Sequence, residues 1–201
     1  MIIKRIPAGI YAANCYVIMD EESKEAVVLD PGGDEDDIIS VIEEIGAKVK
    51  YIMLTHGHAD HTGGVTNLQK RYGSPIGISE KDEALMSNGS YMFGSFGKDK
   101  KADLTLKDGD TVDIGNKTIK VIETPGHTPG CISFLLEDKV FTGDTLFAGS
   151  IGRTDLPGGD FDTIISSIKN KLMVLSDEVI VYPGHGPEST IGGEKKRNPF
   201  L

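Results

Sequence analysis

Residues 49–61 read Val-Lys-Tyr-Ile-Met-Leu-Thr-His-Gly-His-Ala-Asp-His, and the fold is decided by this stretch. Val49 to Leu54 is a short apolar strand. His56, His58, Asp60 and His61 follow within six residues, and Thr62 to Tyr72 reads as a helix behind them. A strand that hands reactive side chains to a turn at its C-terminal end is how an α/β scaffold presents chemistry. Imidazole and carboxylate at this density suit zinc, iron or manganese. Without a cation the cluster is unfavourable, because charged imidazoles repel one another. Gly57 and Ala59 keep the turn narrow.

Outward from this run, strands precede helices twice. Met1–Ile6, Asn14–Asp20 and Glu25–Asp30 read as strands, and Pro31-Gly32-Gly33 ends the third. Asp34 to Asp37 place acidic residues in the first turn of a helix whose apolar stripe is Ile38, Ile39, Val41, Ile42 and Ile45, ended by Gly46. A strand over Pro75–Ser79, a helix over Glu80–Met86 and a Gly/Ser-rich loop over 87–103 complete the first half. The second half has strands Thr111–Ile114, Lys117–Glu123, Cys131–Glu137 and Lys139–Asp144. A helix at 160–174 follows, with Phe161, Ile164, Ile165, Ile168, Leu172 and Met173 as its apolar positions, then a strand Val179–Tyr182. Two such halves packed sheet against sheet, helices outside, form a four-layer αββα sandwich of the α/β (α+β) class, as one domain over 1–201.

Composition sets the outer limits. The chain has 201 residues, 38% apolar and 26% charged, enough to bury a core. Its net charge of −10 argues against a nucleic-acid binder and leaves an anionic small molecule open, since local cations override a global field. No apolar run has the length of a membrane span and the N-terminus lacks a signal-peptide core, so a cytoplasmic protein without membrane or nucleic-acid partners is expected, as a monomer or small homo-oligomer. Cys15 and Cys131 lie in apolar stretches and read as buried thiols.

There are five histidines, His56, His58, His61, His127 and His185, and each follows an expected strand in a turn rich in Gly, Pro or Thr. Asp144 closes the strand Val140–Gly143, where a carboxylate can bridge two metals with one oxygen on each. The expected set is His56, His58 and His127 on one divalent metal, Asp60, His61 and His185 on the other, and Asp144 between them. Zinc is the first choice, with iron or manganese as alternatives. A hydroxide shared by metals ~3.5–4 Å apart is a nucleophile near neutral pH.

The motifs His56-x-His58-x-Asp60-His61, Thr124-Pro-Gly-His127, Phe141-Thr-Gly-Asp144 and Pro183-Gly-His185-Gly resemble the metallo-β-lactamase superfamily, in order and from end to end. Asn14-Cys15-Tyr16, the stretch Leu146 to Asp155 with Gly152-Arg153-Thr154-Asp155, and the ending Glu194 to Phe200 are similar to its glyoxalase II (hydroxyacylglutathione hydrolase) branch, in the short YcbL-type. The resemblance implies the αββα sandwich, the ligand set above, and hydrolysis of a thioester such as S-lactoylglutathione. The long members have a helical C-terminal region that contributes to glutathione binding, and this chain stops short of it. Asp144 stands where the commonest zinc β-lactamases carry cysteine, which argues against β-lactam hydrolysis.

A thioester also suits the residue inventory. A thiol of pKa about 8.5 leaves as a thiolate without a proton donor, and all five histidines are used as ligands. Asp60 is the remaining candidate for moving a proton. The alternatives are a persulfide dioxygenase using one iron through a His-His-Asp subset, or a metallo-hydrolase of another ester. Arg153 is a candidate contact for a substrate carboxylate or a partner of Asp155. Lys195, Lys196 and Arg197 are either contacts for an acidic thiol carrier or a solvated charge run. The loop 87–103, with Tyr91, Phe93 and Phe96, is either a lid over the site or a packed surface loop.

Overall fold

The computed structural model describes residues 1–97 and 100–201; Lys98 and Asp99, part of the 87–103 loop, lie outside the described residues. One sheet holds β1 (Ile2–Ala8), β2 (Ala13–Met19), β3 (Glu25–Leu29), β4 (Lys48–Met53), β5 (Ile76–Ser79) and β6 (Leu104–Leu106), side by side in that order. The first three are antiparallel and the rest parallel. Parallel neighbours need crossovers. These are supplied by α1 (Glu35–Glu44), by α2 (Ala59–Thr62) with α3 (Val65–Tyr72), and by α4 (Glu80–Ser87).

The second sheet holds β7 (Thr111–Ile114), β8 (Lys117–Glu123), β9 (Ile132–Leu136) and β10 (Lys139–Gly143) as an antiparallel meander. A small hairpin of β11 (Leu146–Phe147) and β12 (Ser150–Ile151) follows, then α5 (Phe161–Ser167) with a π-helical extension over Ile168–Leu172. β13 (Ile180–Pro183) returns parallel to β10, β14 (Ser189–Thr190) pairs with β13 at the edge, and α6 (Ile191–Arg197) lies after it.

The period of two along each strand sorts side chains between layers. On β2, Cys15 and Val17 enter a core with Ile38, Ile42 and Leu68 of the helices. Their neighbours Tyr16 and Ile18 enter the central core between the sheets, with Phe134 and Phe141. On β10, Phe141 points to that central core and Val140 to a third one, with Ile164, Ile168, Leu172 and Ile191. Three apolar layers thus separate four layers of elements, and the expected four-layer αββα sandwich holds. Both cysteines are buried.

Two helix expectations need correction. The helix read over 62–72 starts earlier, at Ala59, and breaks at Gly63-Gly64 into α2 and α3. The break lies where the chain touches the Pro31–Gly33 loop: Gly64 N–H donates to Pro31 O at 2.7 Å, and a Cβ on Gly63 would lie 2.6 Å from Gly32 O. The helix read over 160–174 is α-helical only to Ser167; the π-helical turn beyond it keeps Ile168 and Leu172 buried. β6, the β11–β12 hairpin, β14 and α6 were not expected. None of the helices among the described residues is long and apolar enough to cross a membrane.

Candidate metal centre

Every histidine lies beyond the C-terminal end of a strand: His56 and His58 in the loop after β4, His61 in the short α2 that follows, His127 after β8 and His185 after β13. Asp144 follows β10. The parallel strands β10 and β13 run side by side, which brings Asp144 and His185 together, and the face-to-face sheets bring the β4 and β8 loops against them.

The structure gathers all seven expected residues. One ring nitrogen each from His56, His58 and His127 lies within 4.8 Å of the others, and Asp60, His61 and His185 form a second such group. Asp144 stands between the two. Its Oδ1 is 3.3 Å from His61 Nε2, and its Oδ2 is 3.6 Å from His127 Nε2 and 3.7 Å from His185 Nε2. Asp60 Oδ2 is 3.4 Å from His185 Nε2 and 3.8 Å from His61 Nε2.

The outer face of each ring decides which nitrogen is free. Asp30, at the end of β3, accepts from Thr55 N–H at 2.7 Å, from the Thr55 hydroxyl at 2.6 Å and from His61 Nδ1 at 3.0 Å. The Thr55 hydroxyl thereby spends its proton on Asp30 and accepts from His56 Nδ1 at 3.1 Å. His127 Nδ1 donates to the Arg153 carbonyl at 2.7 Å. With these Nδ1 protons committed, Nε2 of His56, His61 and His127 each carries a lone pair facing inward. His56, His61 and Asp30 also lie close together, but both Asp30 oxygens are taken by these partners, so Asp30 orients the rings from behind.

The residues fit divalent metals. His56 Nε2, His58 Nε2, His61 Nε2 and Asp144 Oδ1 are buried without a hydrogen-bond partner. His58 turns its Nδ1 to His127 Nε2 at 2.9 Å, so its inward nitrogen is Nδ1, and the orphaned His56 Nε2, His61 Nε2 and Asp144 Oδ1 beside it are costly unless a cation meets them. In the metal-free cluster the histidines divide between lowered and raised. Burial, reinforced by the neighbouring imidazoles, pushes His56 well below the ordinary histidine range, and burial with His127 brings His58 down to about 4. Burial also acts against the charge on His61, but the Asp144 and Asp30 carboxylates outweigh it and hold His61 up. Asp144 is the reverse: burial would raise it, and His61, His127 and His185 hold it far down.

His58, Asp60, His127, Asp144 and His185 open on a cleft of about 500 Å³ whose apolar wall is Tyr11, Met92, Phe147, Ile151 and Leu156, with Arg153 also lining it. Arg153 Nε and Nη2 both donate to Asp155, at 2.7 Å each, and this bond holds the Asp155 carboxyl down at about 2. The partner reading of Arg153 is therefore realised on its side chain, while its carbonyl serves His127. Lys195, Lys196 and Arg197 do not line the cleft; they form the last turn of α6, where cations suit the helix dipole, and Lys195 pairs with Asp177 at 2.6 Å. The 87–97 segment is strapped to the histidine loop: Gly94 N–H donates to Gly57 O at 2.9 Å, Ala59 N–H to Met92 O at 2.8 Å, and the Phe93 ring is 4.7 Å from the His58 ring. Phe96 is buried and Tyr91 exposed.

Sequence reasoning missed Asp30 and Asp82. Asp30 had a signal, a carboxylate closing a strand as Asp144 does. Gly184 matters too. A Cβ there would lie 2.2 Å from Asp144 Oδ1 and 2.8 Å from His61 Cε1. Gly184→Ala is expected to cut turnover by about 100-fold, the cost of misplacing reacting groups by about 1 Å, without altering a ligand-type side chain. Steady-state kinetics with circular dichroism to check folding would read it, and wild-type turnover would contradict it.

A four-layer sandwich that gathers histidines and aspartates at one end of its sheets suggests a protein of divalent metal ions. More particularly, this chain belongs to the metallo-β-lactamase superfamily, whose family model matches residues 8–185. It is 42% identical to the hydroxyacylglutathione hydrolase GloC of Haemophilus influenzae, over 100% of this chain and 98% of the relative. Among solved structures it is similar to the BLEG-1 B3 metallo-β-lactamase, with a TM-score of 0.91 and 38% identity over 100% of this chain and 99% of that one. It is also similar to TTHA1623 in a di-iron-bound form, with a TM-score of 0.86 and 32% identity over 98% and 100% of the two chains. Family and relatives support a metal-dependent hydrolase and leave the metal's identity open.

Proposed function

We propose that this chain hydrolyses thioesters in the manner of a glyoxalase II, taking S-lactoylglutathione or a related acyl-thiol to a hydroxy acid and a thiol. The observation that carries the reading is the position of Asp144, with its oxygens 3.3–3.7 Å from ring nitrogens of both side-chain groups at the floor of one cleft. On this reading His56, His58 and His127 hold one divalent metal, Asp60, His61 and His185 a second, and Asp144 serves both. Zinc is the first candidate, and the di-iron form of a similar structure keeps iron in view. When bound, such a pair activates a water at neutral pH and polarises a carbonyl oxygen.

The chain's own residues supply the rest. Tyr11, Met92, Phe147, Ile151 and Leu156 offer the acyl-thiol an apolar wall. Asp60 lines the same cleft. It is the carboxylate of that cleft left to move a proton, since all five histidines are used as ligands on this reading. The sulfur needs no donor, because a thiol of pKa about 8.5 departs as the thiolate. The Arg153–Asp155 pair is exposed to solvent at the cleft, so a substrate carboxylate can reach the guanidinium and compete with Asp155 for it.

The test is an assay of the purified, metal-loaded protein on S-lactoylglutathione. Controls are oxygen uptake with glutathione persulfide and hydrolysis of a β-lactam. The β-lactam arm is needed because a similar structure bears the β-lactamase name, so the carboxylate at 144 does not decide that question alone. Thioester turnover well above both controls is the expected result. Oxygen uptake without hydrolysis would replace the reading with the dioxygenase.

A further inference from the structure

Asp82 is a carboxylate with no exposed surface, and the proposed chemistry does not use it. It sits in the first turn of α4, where the Ser79 hydroxyl accepts from its amide. Its Oδ2 accepts from Gly57 N–H at 2.8 Å and from the Thr128 hydroxyl at 2.7 Å, and its Oδ1 accepts from Gly130 N–H at 2.8 Å. Gly57 lies between His56 and His58, and Thr128 follows His127. One buried side chain is thus bonded to both loops that supply the His56, His58 and His127 group. The approach is close: a Cβ on Gly130 would lie 2.4 Å from Asp82 Oδ1 and 2.1 Å from Ser79 Oγ. A buried charge is tolerated when donors surround it, and three do so here.

The other group is held by different residues. Asp30 bonds His61. Asn14 Nδ2 donates to Pro183 O at 2.9 Å and to Gly186 O at 3.0 Å, and the Tyr16 hydroxyl donates to Pro183 O at 2.7 Å, which ties down the loop of His185. These contacts do not involve Asp82.

We propose that Asp82 is a positioning residue that sets the spacing between the β4 and β8 loops, and so the metal affinity of the His56, His58 and His127 group in preference to the other. The inference rests on reading the seven residues as ligands of two metals and is independent of the substrate. The test is stepwise zinc release from the full chain by competition with a chromophoric chelator, without substrate. His127→Ala assigns the step that belongs to the all-histidine group.

Asp82→Asn is expected to weaken that step by about 10–100-fold, the usual effect of removing a partner behind the ligands, and to leave the other step within about threefold. Asn14→Leu is expected to weaken the other step instead. Thr128→Val, which removes one of three donors and keeps the carboxylate, gives a smaller loss at the same step as Asp82→Asn and carries the test if Asp82→Asn does not fold. Equal weakening of both steps, which a merely structural role would give, overturns the proposal, as does an unchanged assigned step in either variant. A wild-type chain that binds one zinc removes the two-metal reading itself, and the proposal with it.

Discussion

Asp144→Ala is expected to lower kcat/KM for a thioester by about a thousandfold and to reduce the bound metal from two per chain to one. The magnitude follows from what would be lost. Polarisation of a carbonyl by a metal contributes several kcal/mol to the transition state, and about 4 kcal/mol corresponds to about a thousandfold in rate. The metal loss follows from position, since Asp144 is the carboxylate placed against nitrogens of both groups. Steady-state kinetics and elemental analysis on the same preparation read the two effects together. A variant that keeps two metals and wild-type kcat/KM would show that Asp144 is not shared.

Removing the metals should have the second large effect, on stability as well as turnover. A ligand at 100 times its Kd stabilises by about 2.7 kcal/mol. For a chain of this size each kcal/mol moves Tm by about 2–4 °C. With two such sites the sum is about 5.4 kcal/mol, so dialysis against a chelator is expected to abolish hydrolysis and lower Tm by roughly 10–20 °C, with both restored by added metal.

The metal-free chain should also be acid-sensitive in a particular window. His58 titrates at about 4 when folded, against about 6.5 unfolded, because burial and His127 disfavour its charge. Between those values the unfolded chain binds more protons, so stability falls as pH falls from 6.5 to 4. His56 is displaced in the same direction. His61 and His185 are raised, so their contribution is complete below about 6.5 and is lost as pH rises through their folded values. Urea unfolding of the metal-free chain should therefore show a maximum near pH 6.5. A flat profile from 6.5 to 4 would contradict this.

What the sequence made legible was what local chemistry and period report. The twofold succession of strands then helices and the apolar stripes of the helices at 34–45 and 160–174 carry the layer order. The density of ligand types between His56 and His61 marks the site, because nothing structural requires such a cluster. What stayed hidden depends on tertiary contact. α6 begins Ile191-Gly192-Gly193, and two glycines in a first turn erase the apolar period. The Thr190 cap and the basic last turn were its surviving signals, and Lys195 to Arg197 were read as thiol-carrier contacts or a charge run for want of that helix. The break at Gly63-Gly64 belongs to a loop thirty residues upstream. Asp82 looks, in sequence, like any acidic residue opening a helix; only the packing of two distant loops against it gives it work.

The central claim is that two metals at the floor of one cleft drive thioester hydrolysis, and one titration addresses it. Zinc is added stepwise to the metal-free chain while S-lactoylglutathione hydrolysis is recorded. The account predicts activity that rises to a plateau at two equivalents per chain. A plateau at one equivalent, or no hydrolysis at any zinc level, would contradict it.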